Sequence, residues 1–294
     1  MSDLVSIVMP VFEDGERAVS AIRSLLMQTL PDGMSMEILV VDDGSGDDTS
    51  GRILQVHDGR IELLRLGENR GRAEARNCGS RQARSPYLVF IDCDCTPATN
   101  NFLSEHIAAL RADRVASTGP VTGYGGGFWD RYQRDASTRR EAQFRRGCTF
   151  SGSSQNLAVL RSAFDEIGGF DAEFRNYGFE DRDLLLRLAN VGEIAWTTGA
   201  AVSHLDSLAL QDVCRKMLEG GEHSAGRFAT LYPDEYRKLG YAAIDCRPQP
   251  ETPPGVARLL EPALHKRWLP YPVRRAIARA ASALSFMYGT LRAA

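Results

Sequence analysis

Apolar residues in the first hundred positions follow two alternating patterns. Residues 5–12, 37–41, 61–66 and 87–91 are short β-branched runs dense enough to be buried strands. Between them, residues 16–27 repeat Ala18, Ile22, Leu25 and Leu26 at helical spacing, residues 47–56 open on acids that favour a helix N-terminus, and residues 72–83 predict a third helix. This alternation predicts an α/β protein with a mostly parallel central sheet and helices on both faces. The second hundred is less regular. Residues 119–127 are glycine-rich and lead into Phe128 and Trp129, which suits either a flap over a site or a plain surface loop. Residues 179–188 are helical by spacing, 194–197 and 201–203 are short strands, and 208–230 are mostly helical. Four prolines fall in residues 248–254, which marks a linker. The expected organisation is two halves of one α/β domain over 1–98 and 99–205, a helical extension over 206–247, a Pro-rich linker over 248–256 and a helical tail over 257–294.

Composition narrows the class. The chain has 294 residues, 43% apolar and 25% charged, as ordinary soluble globular proteins do. A net charge of −3 argues against a nucleic-acid partner. The charge is uneven, because residues 258–294 carry seven Lys/Arg and one acid, +6, which leaves −9 for the rest. Within that tail Ile277, Ala281, Leu284, Tyr288 and Leu291 share a helical face near Arg274, Arg275 and Arg279, with Trp268 and Tyr271 as interfacial aromatics. Such a helix is expected to make peripheral contact with an anionic membrane, or else to dock on the protein's own core or a second subunit. The first residues have no signal-peptide character, and no stretch reaches the roughly 18 apolar residues of a membrane span. The expected location is the cytoplasm, with peripheral contact on the inner face of the membrane. The six cysteines form no CxxC or zinc spacing and are expected to be reduced thiols.

Ligands of such sheets bind at the carboxyl ends of the strands. The residues there are Pro10-Val11-Phe12-Glu13, Asp42-Asp43-Gly44-Ser45 and Asp92-Cys93-Asp94. Acids gathered at one edge are unfavourable unless a cation or hydrogen-bond donors offset them. In an extended chain Asp92 and Asp94 share one face and the neighbouring cysteines the other. Two convergent carboxylates suit Mg²⁺ or Mn²⁺ with room left for substrate phosphates, although a solvated turn also carries acids. Asp42 or Asp43 suits hydrogen bonds from a nucleobase or ribose, and equally an ordinary turn and N-cap. Glu180 and Asp181 open a helix, where the dipole favours acids. There a carboxylate fed into a pocket by glycines such as Gly178 can also act as a catalytic base, while Asp183 is expected to face away. His204 ends a short strand and is either a structural histidine or the ligand that completes an oxygen-rich Mn²⁺ site near Asp94.

Taken in order, these motifs resemble the family 2 glycosyltransferases of GT-A fold. The resemblance is carried by Val-Ser-Ile-Val-Met-Pro-Val-Phe-Glu, Glu-Ile-Leu-Val-Val-Asp-Asp-Gly-Ser, the run from Asn69 through Arg76 and Asn77, and Leu-Val-Phe-Ile-Asp-Cys-Asp. It continues in Gly168-Gly-Phe-Asp-Ala-Glu-Phe and Gly178-Phe-Glu-Asp-Arg-Asp-Leu, which resemble the acceptor-side segment of galactosyl- and N-acetylgalactosaminyl-transferases and chondroitin-type polymerases. Phe12 stands where that family often has tyrosine. The resemblance covers about residues 4 to 205 and makes 1–98 the nucleotide-sugar half and 99–205 the acceptor half.

The resemblance implies that Pro10, Val11, Phe12, Glu13 and Arg76 line the nucleotide pocket and that Asp43, with Asp42, holds the uracil ring. It further implies that Asp92 contacts ribose or metal, that Asp94 and His204 bind Mn²⁺ or Mg²⁺, and that Asp181 is the general base of an inverting transfer with Glu180 assisting the acceptor. Trp129 and Gly178 would flank the acceptor. The implied donor is a nucleotide sugar, most often a UDP-hexose or N-acetylhexosamine, with GDP and dTDP sugars as alternatives. The implied acceptor is a glycan or lipid-linked hydroxyl in surface polysaccharide synthesis. Retaining enzymes share much of this pattern, so inversion stays an expectation. Two other readings compete. Asp92-Cys-Asp-Cys-Thr96 also fits the D-x-D-x-T opening of haloacid-dehalogenase phosphatases, though that motif usually sits on a first strand. A catalytically degenerate glycan-binding module is the non-enzymatic alternative.

Overall fold

The computed structural model describes residues 4–205, 208–245, 264 and 269–293. These fall into two compact units. One is drawn from Met1–Gly125, Gln133–Glu173 and Asp181–Asp206, the other from Gly126–Tyr132, Phe174–Glu180 and Ser207–Ala294.

The first unit is built on a seven-stranded sheet. In chain order its early elements are β1 (Leu4–Val11), α1 (Gly15–Leu26), β2 (Ser35–Asp42), α2 (Thr49–Leu54), β3 (Ile61–Arg65), α3 (Arg72–Gln82) and β4 (Tyr87–Ile91). Each expected element of this half is present, with ends shifted by a residue or two. There follow β5 (Cys95–Pro97), α4 (Phe102–Arg111), β6 (Ala116–Thr118), β7 (Val121–Gly123), α5 (Phe128–Arg145), β8 (Asn156–Leu160), α6 (Arg161–Glu166), α7 (Glu180–Val191), β9 (Ile194–Trp196) and β10 (Val202–His204), of which the start of α5, through Tyr132, and Glu180 of α7 belong to the second unit. The strand order is β3-β2-β1-β4-β8-β6-β9, and β8 alone runs against its neighbours. The sheet is therefore mostly parallel, as expected. A second, three-stranded sheet has the order β5-β10-β7.

Side-chain alternation along β1 explains why helices cover both faces. Val5, Ile7, Met9 and Val11 enter a core shared with Ala18, Ile22 and Leu25 of α1 and with Phe102, Leu103 and Ile107 of α4. Val8 turns the other way, onto Gly79 of α3, where Val41 also abuts. Strands buried on both faces read as unbroken apolar runs, which is why this half is legible from sequence. The less regular second hundred hides β6, β7 and β8, and β7 lies inside the glycine-rich stretch expected to be a loop.

A buried polar network holds α4 to the sheet. Asn156 Nδ2 donates to the carbonyls of Pro120 and Ala200 at 2.9 and 2.7 Å, which orients its Oδ1 to accept from His106 Nε2 at 2.8 Å. His106 Nδ1 must then accept from Ser117 Oγ at 2.9 Å, fixing the neutral tautomer. Burial lowers the His106 pKa to about 4.

The second unit contains α8 (Leu210–Glu219), a π-helical turn (Gly220–Ser224), α9 (Ala225–Leu231), α10 (Pro233–Lys238) and α11 (Tyr271–Arg292). Its core joins Trp129, Leu210, Cys214, Leu264, Ala278 and Ala281. An aromatic cluster gathers Phe179, Phe228, Tyr241 and Phe286, with ring centroids 4.8 Å apart for Phe179–Phe228 and for Tyr241–Phe286. Gly289 of α11 lies so close to α8 that an added Cβ would sit 2.1 Å from the Leu218 carbonyl oxygen. Two expectations change here. Trp129 is not carried on a flap: it opens α5 and is 8% exposed in the core of this unit. The face of the tail helix named for membrane contact includes Ala281, which is buried with Ala278 and Phe286 within the unit's own core, because small residues let α11 approach α8 closely. Trp268 and the linker over 248–256 lie outside the described residues, as does the Leu291 side chain. Among the described residues no helix is long and apolar enough to cross a membrane.

Candidate active site

The carboxyl ends of β1, β2 and β4 lie side by side, since β1 pairs in parallel with both β2 and β4. Pro10 and Val11 are buried, whereas Phe12, just past the end of β1, is 43% exposed. Glu13 has a φ of +50°, unusual for a residue other than glycine, and its N–H donates to Ser45 Oγ at 2.8 Å. The first two strand ends are thus tied together by their own turns.

Asp42 and Asp43 divide their work. Asp42 is 1% exposed, accepting from Ser45 N at 2.9 Å and from the Ser50 hydroxyl. Its carboxylate is committed to the turn into α2. Asp43 accepts from the backbone N–H groups of Arg70 and Gly71 at 2.8 and 2.9 Å, one on each oxygen. Burial pushes its carboxyl pKa up, partly countered by those two donors. Gly44 has a φ of +78°, and a Cβ there would meet the Glu68 carbonyl carbon at 2.5 Å, so the loop before α3 rests directly on this turn.

Asp92 and Asp94 have different partners. The chain leaves β4 in a turn, with Cys95 N donating to the Asp92 carbonyl at 3.0 Å, so the extended geometry assumed for this triplet does not apply. Asp92 Oδ1 accepts from Arg76 at 2.6 Å. Arg76 is 1% exposed, and its guanidinium also lies 5.3 Å from the centroid of Phe170. Asn77 clamps the same loop, donating to the Phe170 carbonyl at 2.8 Å and accepting from its N–H at 2.9 Å. Asp94 instead faces His204, with Oδ2 3.2 Å from Nε2.

The second sheet makes that contact. β5 and β10 are antiparallel with Cys95 opposite His204, and Leu205 N donates to the Asp94 carbonyl at 2.7 Å. Asp94, Cys95 and His204 each offer one ligand atom, all within 4.8 Å of one another. An oxygen, an imidazole nitrogen and a thiol at this spacing fit a divalent cation. Cys95 lies beside this cluster, its Sγ 3.6 Å from Asp94 Oδ1, rather than on the far face. Cys93 lies 3.8 Å from Asp14 Oδ2. Burial, then the nearby carboxylates, raises the pKa of both thiols well above the ordinary value.

Asp181, at the start of α7, is held by two hydroxyls. Ser153 donates to Oδ2 at 3.1 Å and Ser154 to Oδ1. Asp183 is separately engaged with Arg187 at 3.1 Å, so the two acids have different partners. Glu180 and Gly178 belong to the second unit, where Glu180 is 4% exposed and Gly178 has a φ of +96°. The two serines carry no sequence signal, because Gly-Ser-Ser-Gln is indistinguishable from a loop.

A profile described as glycosyl transferase family 2 matches residues 6–168, and one described as the N-terminal domain of galactosyltransferase matches residues 145–195. The chain belongs to glycosyl transferase family 2. This sets aside the phosphatase reading of the D-x-D-x-T run. Glycosyltransferase AglE of Haloferax volcanii is 25% identical over 239 residues, 79% of this chain and 71% of that protein. Glycosyltransferase GlyG of Streptococcus pneumoniae is 35% identical over 97 residues, 32% of this chain and 31% of its own length. A UDP-Glc:alpha-D-GlcNAc-diphosphoundecaprenol beta-1,3-glucosyltransferase, WfgD of Escherichia coli, is 37% identical over 91 residues, 31% of this chain and 35% of its own. With GlyG and WfgD, then, the match spans about a third of each relative's length. Among solved structures, a mannosyltransferase from Pyrobaculum calidifontis aligns with a TM-score of 0.63 at 17% identity over 98% of this chain and 87% of its own. S. aureus TarS aligns with a TM-score of 0.58 at 16% identity, over 98% of this chain and 54% of its own. These likenesses establish the GT-A fold.

Proposed function

We propose that this protein is a metal-dependent, inverting glycosyltransferase that moves a hexose or N-acetylhexosamine from a nucleotide sugar to a hydroxyl of a glycan or lipid-linked acceptor. The observation that carries this reading is the Asp94–His204 contact at 3.2 Å beside the carboxyl ends of the parallel strands. Asp94 and His204 would hold Mn²⁺ or Mg²⁺, which when bound neutralises charge developing on the leaving diphosphate. Asp43 and the exposed Phe12 would hold the base, and Asp92, braced by Arg76, would face ribose or cation. Asp181 would take the proton of the acceptor hydroxyl, a contribution of about 10²–10⁴-fold, and Glu180 would assist acceptor binding. Attack from the opposite face then inverts the anomeric centre.

The mannosyltransferase neighbour was solved with GDP-Man and Mn²⁺, and the WfgD relative is named for UDP-Glc, so both nucleotide classes have support. A role in polysaccharide synthesis is supported by a 36% identical stretch in the succinoglycan biosynthesis protein ExoO of Rhizobium meliloti. Exposed Arg279 supports contact of α11 with an anionic membrane. The deciding experiment is calorimetric titration of UDP, GDP and dTDP, each with and without Mn²⁺, on wild type and Asp94→Ala. Metal-dependent binding of one nucleotide, lost in the variant, is expected. Failure of all three to bind would overturn the reading.

A further inference from the structure

We infer that Cys95 is a third direct ligand of the cation held by Asp94 and His204, and that its sulfur makes the site prefer thiophilic ions over Mg²⁺. This rests on the proposal that Asp94 and His204 hold a metal, and adds a ligand and a selectivity to it.

The pairing of β5 with β10 sets Cys95 across from His204. The Asp94 carboxylate bridges the two, one oxygen 3.2 Å from His204 Nε2 and the other 3.6 Å from Cys95 Sγ. Three ligand atoms within 4.8 Å of one another can be drawn onto one ion, with bonds of about 2.0–2.3 Å, by small side-chain rotations. Cys95 is 0% exposed, at the edge of the apolar core that includes Val121 and Val202, and is not a surface thiol. As the metal–sulfur bond forms, the thiol proton leaves to solvent. Mg²⁺ demands near-octahedral oxygen ligands and sheds water reluctantly, whereas a mixed oxygen, nitrogen and sulfur set favours Mn²⁺, Zn²⁺ and Cd²⁺. The choice between Mn²⁺ and Mg²⁺, open at the level of motif, is then weighted by the sulfur in addition to the imidazole nitrogen.

The test uses the reduced full-length chain and metal ions alone. Titration with Cd²⁺ is expected to produce a thiolate-to-cadmium charge-transfer band that saturates at one ion per chain. The band should disappear in Cys95→Ser and persist in Cys93→Ser. Competition followed by Mn²⁺ electron paramagnetic resonance should show Mn²⁺ resisting Mg²⁺ in wild type. In Cys95→Ser that advantage should shrink by at least about tenfold, the lower end of what even outer-shell partners contribute. A wild-type protein that binds Cd²⁺ without the band overturns the inference with no variant needed. So does an undiminished band in Cys95→Ser. If Asp94→Asn and His204→Ala still bind Mn²⁺ as wild type does, the metal site itself is refuted. If they lose it while Cys95→Ser keeps both affinity and selectivity, only the third ligand is.

Discussion

The hydroxyl of Ser153 donates to Oδ2 of Asp181 at 3.1 Å, while Ser154 donates to the other oxygen. A carboxylate held on both oxygens is aimed before substrate arrives, which is what a general base needs. Asp181→Asn keeps the shape but cannot accept a proton. It is expected to lower kcat by about 10²–10⁴-fold while leaving metal-dependent nucleotide binding by calorimetry within twofold of wild type. Loss of nucleotide binding in this variant would contradict the assignment.

Phe12 is exposed immediately beyond β1, next to the turn that carries Asp43. If it stacks on the base, Phe12→Ala should weaken whichever nucleotide binds by about 1–3 kcal/mol, the range for base–aromatic stacking. Phe12→Tyr should restore it. An unchanged Kd in Phe12→Ala would remove the residue from the site.

His106 gives the stability a pH signature. Its folded pKa of about 4 lies below the ordinary 6.5, so between those values the unfolded chain binds a proton that the folded one does not. The stabilisation is complete above pH 6.5 and is lost as pH falls toward 4, by roughly 3 kcal/mol in all. Urea unfolding of wild type and His106→Gln across this window should show a steeper decline for wild type. Parallel curves would place the acid sensitivity elsewhere.

The tail helix separates two roles by residue. Ala278 is 0% exposed, so Ala278→Asp buries an unpaired charge and should cost about 3 kcal/mol or more. Exposed Arg279→Glu should leave the melting temperature unchanged but reduce flotation with anionic vesicles, since a surface arginine contributes about 1 kcal/mol there. Equal flotation of wild type and Arg279→Glu would argue that α11 serves only the fold.

The sequence by itself determined the parallel half of the sheet and the family. Strands β1, β2 and β4 are buried on both faces and read as unbroken apolar runs, and their ends are marked by local motifs that the chain writes in order. It also marked Asp94, Asp181 and His204 as candidates, because acids and histidines at strand and helix ends are conspicuous. What only the tertiary structure decided is who meets whom. A turn after Ile91 sends Asp92 to Arg76 and Asp94 to His204. Strand pairing sets Cys95 opposite His204, and a loop without any motif supplies the two serines of Asp181. Trp129 and α11 went into a core of their own because helix packing rewards small residues and buried aromatics wherever the chain brings them together. Local periodicity reports which face of an element is apolar. It does not report which distant element that face, or the polar group beside it, will touch.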